Sequence, residues 1–240
     1  MNNVIRAEAL KHKGRFYQHL LWILPFLAVT LSLVLMSGIN LVSGAINWFY
    51  TLLYPGVITI LIAFSMGMDR EKNRHGLMSV FINREELWLG KIIYLLLCSL
   101  FSSMIFFALL QLLRLVFPTT IPLLNIFISC LILWITFLWQ IPLWMWTTEI
   151  IGPYPSILLG LVLNLGMSII FSASRLWWLP FAIPARLMCP VVGIYPNGLW
   201  IEANSPLLDP GVILPGLLIS LLMFAFLTMM TWIWFSKREM

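Results

Sequence analysis

Charge is what this sequence has least of. Only 10% of its residues are charged against 61% hydrophobic, with a mean hydropathy of +0.98, whereas a soluble domain carries about 25% charged residues. That shortage excludes a soluble globular chain and marks an integral membrane protein. Cysteine is nearly absent. Cys98 and Cys130 fall in apolar runs and Cys189 stands alone, which suggests neither a disulfide framework nor a thiolate metal site; the first two read as buried small hydrophobes. The histidines, His12, His19 and His75, lack ligand spacing, and no H-E-x-x-H stretch exists.

Catalytic signatures are missing as well. No G-x-S-x-G elbow occurs. No P-loop occurs either, because Gly90-Lys91 is followed by Ile92 and Glu85 stands where the first glycine belongs. The adjacent Glu85-Glu86 superficially resembles the glutamate pair of prenyl-protein endopeptidases, yet Gly90 occupies the position where that family has arginine. A solvated pair beside Arg84 is the better reading. No carboxylate lies deep in an apolar run, so a proton-driven carrier is disfavoured. The net charge of +5 is spread next to the apolar runs rather than clustered into a phosphate-binding face, which argues against nucleic acid.

What is present is a succession of apolar runs long enough to cross a hydrocarbon core of ~30 Å, interrupted by one polar island. The island is Met68 to Lys91, MDREKNRHGLMSVFINREELWLGK, with nine charged residues. Spans are expected at about His19–Ile39, Trp48–Gly67, Ile92–Leu113, Leu123–Trp146, Tyr154–Phe171 and Val212–Phe235. The run from Leu20 to Met36 is too long for a signal-peptide core. Lys and Arg concentrate in the first residues (Arg6, Lys11, Lys13, Arg15), the island and the tail (Lys237, Arg238), so both termini and the island are expected on the cytoplasmic side.

Local features refine this outline. Residues 1–18 suit a helix in the cytoplasmic interface, with a disordered basic tail as the alternative. Asn40 to Asn47 is expected to be a neutral outer loop. Pro55-Gly56 should kink the second span, and Gln140 with Pro142 should break the fourth. Thr147–Pro155 is expected to be a cytoplasmic connector in which Gly152, Pro153 and Pro155 stop both flanking helices. Gly160, Asn164 and Gly166 predict a close-packing face on the fifth span. Within the island, Leu77, Val80, Phe81 and Arg84 share a helical stripe, readable equally as a docking element or as a solvated connector. Arg114 should reach the outer interface.

Ser172 to Pro210 is too proline-rich for a span and too aromatic for an ordinary loop. Trp177, Trp178, Phe181, Tyr195 and Trp200 suggest a structure in the outer interface with short re-entrant helices, and Pro196-Asn197-Gly198 is a turn signal. Glu202 and Asp209 are expected to pair with Arg175 and Arg186, with contact to a cationic ligand as the alternative.

Six spans, an interfacial N-terminal helix, a charged loop after the second span and an external segment before the sixth resemble the ABC-2 class of transporter permeases. Glu71, Gly76, Arg84 and Gly90-Lys91 are similar to that class's coupling-loop pattern. The stretch Trp178-Leu179-Pro180-Phe181-Ala182-Ile183-Pro184-Ala185-Arg186-Leu187, continuing into Gly193-Ile194-Tyr195-Pro196-Asn197-Gly198, resembles the external segment of lantibiotic-immunity permeases, the E-type subunit more than the G-type. The likeness runs over essentially all of residues 1–240, read as one transmembrane domain.

The resemblance implies an all-α, six-span subunit of the bacterial plasma membrane with no cofactor of its own. ATP and Mg would sit on a partner ATPase present in two copies, beside a second, related permease. A cationic lantibiotic would be the substrate, within membrane lipid. Arg70, Glu71, Lys72, Arg74, Gly76 and Arg84 would dock the ATPase. Trp177, Trp178, Arg186, Tyr195, Asn197, Glu202 and Asp209 would form the external gate or meet the peptide. The alternatives are the same architecture exporting another amphiphile, such as a lipid or drug, or a non-transporting membrane scaffold.

Overall fold

The computed structural model describes residues 2–71 and 84–237. Within them the chain is helical: α1 Asn2–His12, α2 Phe16–Leu35, α3 Asn40–Trp48, α4 Tyr54–Glu71, α5 Arg84–Val116, α6 Leu123–Phe137, α7 Gln140–Ile151, α8 Pro153–Phe171, α9 Ile183–Val192 and α10 Ile213–Ser236. Six helical stretches are long and apolar enough to span a membrane, with α3–α4 and α6–α7 each acting as one. Helical structure reaches into the polar island from both sides, to Glu71 and from Arg84. The stripe at Leu77, Val80 and Phe81 lies outside the described residues.

The second span is the axis of the bundle. In its most apolar window 83% of residues are buried, against 11% for the sixth, and α4 packs on α2, α5, α7 and α8. This span is longer than its apolar core suggests. The expected outer loop at Asn40–Asn47 is instead α3, with Leu41 to Asn47 all buried. Nothing in that stretch is charged, so helix costs no desolvated charge there, and small residues let it pack against the end of α2. Ser32 Oγ donates to the Leu41 carbonyl at 2.6 Å, and a Cβ on Gly44 would lie 2.7 Å from Met36 Cγ. A π-helical turn, Phe49–Leu53, joins α3 to α4 immediately before Pro55. A proline lacks the N–H for a regular bond and its ring crowds the preceding turn; widening that turn absorbs the misfit.

The fourth span breaks at Leu138–Trp139, just ahead of Gln140 and Pro142. Its second half runs on to Ile151, past the expected end at Trp146, and only Gly152 at φ +91° separates it from α8. The glycine supplies the left-handed turn. Pro153 and Pro155 do not stop α8 but lie in its first turn, where a missing N–H costs nothing. Gly160 lets α8 cross the second span closely, since a Cβ there would lie 2.2 Å from Thr59 Cγ2. At Gly166 a Cβ would meet nothing within 4 Å, so the close-packing face stops at Asn164.

Between α8 and α10 lies the short helix α9, almost every residue of it buried. It packs on α6, α8 and α10. Gly193 at φ +83° ends it, donating to the Cys189 carbonyl at 2.9 Å, and Asn125 Nδ2 donates to the Val191 carbonyl at 2.9 Å. Those contacts satisfy helix-end carbonyls that have no solvent nearby.

Candidate functional site

The N-terminal helix is built inside out. Its buried face is Val4, Glu8 and His12, at i, i+4 and i+8, while Leu10 is 69% exposed. Val4 seats on Gly90 at the start of α5, where a Cβ would lie 2.5 Å from Val4 Cγ1. That close crossing brings Glu8 Oε2 to 3.5 Å from Lys91 Nζ and 3.3 Å from His12 Nε2. Lys11 Nζ lies 3.4 Å from Glu8 Oε1. Two adjacent residues, Gly90 and Lys91, thus supply the gap and the counter-charge for one helix.

The rest of the cluster comes from α2, α4 and α5. Ser65 Oγ lies 3.1 Å from His12 Nε2, and Lys91 Nζ donates to the Ser65 carbonyl at 3.4 Å. His12 Nδ1 bonds to the Tyr17 hydroxyl, which lies 2.9 Å from Met68 Sδ. The His12 ring stacks on Tyr94 with centroids 5.0 Å apart, and Gln18 Nε2 donates to the Tyr94 hydroxyl at 2.8 Å.

Electrostatics set the protonation of this joint. Burial pushes the Glu8 carboxyl up, but the His12 hydrogen bond and the charges of Lys91 and Lys11 outweigh it and hold the group at about 2. For His12, burial pushes the ring down, Glu8 pulls it up and Lys91 pushes it down again, leaving it below its usual value. At neutral pH the carboxylate is therefore ionised and the ring neutral. A ring protonated at Nε2 donates to Glu8 and accepts at Nδ1 from Tyr17.

The cluster is a polar joint between helices. It ties α1 to Ser65 and, through Tyr17, to Met68, where the polar island begins, and to Lys91, where it ends, with Tyr94 just beyond. Among the described residues no group of three or more His, Cys, Asp or Glu could hold a metal.

Of the residues expected to dock an ATPase, Arg70 and Glu71 belong to the last turn of α4 and Arg84 opens α5. Their side chains, together with Lys72, Arg74 and Gly76, lie outside the described residues. Glu85 and Glu86 are exposed in the first turn of α5, where the helix dipole favours acids.

The external residues do not converge. Arg186 is buried, and its guanidinium donates to the Leu207 carbonyl at 2.6 Å and lies 5.9 Å over the Trp177 ring. It holds the 206–208 turn onto α9. Tyr195 is half-buried and forms a β-turn, its carbonyl accepting from Gly198 at 2.9 Å. Asn197 Oδ1 accepts from the Leu199 N–H at 3.1 Å in that turn. Trp178, Glu202 and Asp209 are exposed. The expected pairing of Glu202 and Asp209 with Arg175 and Arg186 does not form among the described residues: Asp209 Oδ1 instead accepts from the Gly211 N–H at 2.8 Å. Arg186 is satisfied inside the bundle while both acids face out.

No protein-family model, curated protein or solved structure matches this chain. Function must therefore be read from its own geometry.

Two arrangements escaped sequence reasoning. The Glu8–His12 spacing was visible as i, i+4, but its partner Lys91 is 83 positions away from Glu8 in the chain. The second is an amide clamp between the fourth and fifth spans. Gln140 Nε2 donates to Asn164 Oδ1 at 2.7 Å, Asn164 Nδ2 donates back to Gln140 Oε1 at 2.9 Å, and Trp144 Nε1 donates to the same oxygen at 3.0 Å. Each side-chain polar group of Gln140, Asn164 and Trp144 thereby has a partner, as hydrocarbon favours.

Proposed function

We propose that this chain is the membrane-spanning permease subunit of an ATP-driven exporter of the ABC-2 type, moving a cationic lantibiotic-type peptide from the membrane to the outside. The observation that carries this reading is the joint around Glu8, His12 and Lys91, which binds the N-terminal helix to both feet of the charged island. A polar loop whose two flanking spans are locked to a shared lever suits transmission of a push from a partner. The chain's lack of any nucleotide-binding signature leaves that push to a separate ATPase, carrying ATP and Mg. By positive charge the island faces the cytoplasm, where such a partner would dock through Arg70, Glu71, Lys72, Arg74, Gly76 and Arg84.

At the opposite end, Trp178 and Trp200 are exposed together with Glu202 and Asp209. Exposed aromatic and acidic groups on one external segment suit a cationic, amphiphilic peptide. The buried helix α9 is read as re-entrant, and the bundle as half of a pair with a second permease. The seam lined by Val57, Ile58, Leu61, Leu95, Ser99 and Ile141 has no room for water, and the proposed route runs along a surface between subunits. The same surface suits another amphiphile, such as a lipid or drug.

The test is affinity purification in mild detergent, with ATPase turnover measured with and without cationic lantibiotic. A co-purifying ATPase and peptide-stimulated turnover are expected, both lost on reversing Arg70, Lys72 and Arg74. A chain that purifies alone in several detergents would turn the reading to a membrane scaffold.

A further inference from the structure

Glu8 is the only acid in the first 68 residues, and the fold turns it inward against Lys91 and His12. The outward side of α1 and the turn that follows are consequently of one sign. Arg6, Lys13 and Arg15 are exposed there, and no carboxylate among the described residues forms an ion pair with any of them. Between them stand Leu10 and Phe16, 69% and 75% exposed. Gly14 at φ +76° makes the turn, with open space around it, and α2 begins at Phe16. One to three turns further on, His19 edges against Trp22, and Trp22 and Phe26 are also exposed. An exposed tryptophan near the start of a span marks the interface, so the cations sit at headgroup level.

We propose that this face is a docking surface for anionic phospholipid. Arg6, Lys13 and Arg15 meet the phosphates, and Leu10 and Phe16 enter the acyl boundary. The two exposed apolar side chains distinguish the surface from a site for free phosphate or an acidic peptide. Because the buried side of the same helix grips Lys91 and Ser65, lipid bound outside holds the lever that joins the second and third spans. The inference rests on the membrane reading alone and stands whether or not the chain exports a peptide.

The experiment is native mass spectrometry of the detergent-purified full chain titrated with phosphatidylglycerol or phosphatidylcholine of matched acyl chains. The unmodified chain should prefer phosphatidylglycerol. Arg6→Gln/Lys13→Gln/Arg15→Gln should lose that preference by about fivefold per charge removed, while binding phosphatidylcholine as before, which verifies that it is folded. Arg114→Gln/Arg175→Gln/Lys237→Gln removes the same charge elsewhere and should keep the preference. Equal losses in the two triple variants would show that net charge alone attracts the lipid, and an unchanged preference in the first would show that this face is not the site; either result overturns the proposal.

Discussion

Glu8, on a helix outside the membrane-spanning bundle, lies 3.5 Å from Lys91 at the foot of the third span, and both are about 95% buried. A buried ion pair of this kind is weak as a source of net stability but costly to break on one side. Lys91→Met should therefore lower stability by about 3–5 kcal/mol. Glu8→Gln/Lys91→Met should recover a large part of it. Thermal unfolding in detergent reads both, and a double variant no better than Lys91→Met would show that the pair is not what holds α1.

The crossing of the second and fifth spans offers a steric test. Gly160→Ala places a methyl 2.2 Å from Thr59 Cγ2, and such overpacking costs about 1–3 kcal/mol. Thr59→Ser removes that methyl group and keeps the hydroxyl bonded to the Pro55 carbonyl, now 2.8 Å away. The double variant should recover. No recovery would place the strain elsewhere.

The amide clamp predicts an order. Gln140→Leu leaves Asn164 Oδ1 and Trp144 Nε1 without partners, whereas Asn164→Leu strands only Gln140 Nε2, since Gln140 Oε1 keeps Trp144 and the Gly160 carbonyl loses just a side-chain donor. Interhelical polar contacts in membranes contribute about 0.6–2 kcal/mol each, so the Gln140 variant should melt first. Equal or reversed melting temperatures would count against the clamp.

Acid should loosen the N-terminal joint in two stages. His12 is held below its usual value, so as pH falls through about 6.5 the unfolded chain takes up a proton that the folded chain refuses, and stability declines. His12→Gln should flatten this stage. Glu8 is held at about 2 against 4.5, so its contribution, complete above 4.5, is lost as pH drops from there towards 2. Unfolding midpoints between pH 8 and pH 3 check both slopes.

The external acids test the peptide reading. With neither Glu202 nor Asp209 paired to arginine among the described residues, Glu202→Gln/Asp209→Asn should leave thermal stability within about 0.5 kcal/mol while weakening protection against a cationic lantibiotic. Unchanged protection removes these acids from the mechanism.

Much of the architecture was legible because crossing a membrane is a constraint along the chain. The six spans and the break ahead of Gln140 follow from run length and proline placement. Asn40–Asn47 misled because neutrality suits an outer loop and a buried helix end equally well. The turn at Pro196-Asn197-Gly198 was legible, since Gly198 adopts φ +84° as the turn chemistry demands. Arg186 was not, because whether an arginine faces solvent or a carbonyl such as Leu207's depends on a neighbour 21 residues away.

The sequence by itself determined which stretches are long and apolar enough to cross a membrane, where the polar island lies and which chemical motifs are missing, since all of these depend on local composition. Only the tertiary structure decided which face of each span meets protein. In lipid, an apolar side chain is equally at home against a tail or another helix, so hydropathy carries no signal for that choice. It is made instead by close approach at Gly90 and Gly160 and by polar partners brought together from distant positions, Glu8 with Lys91 and Gln140 with Asn164.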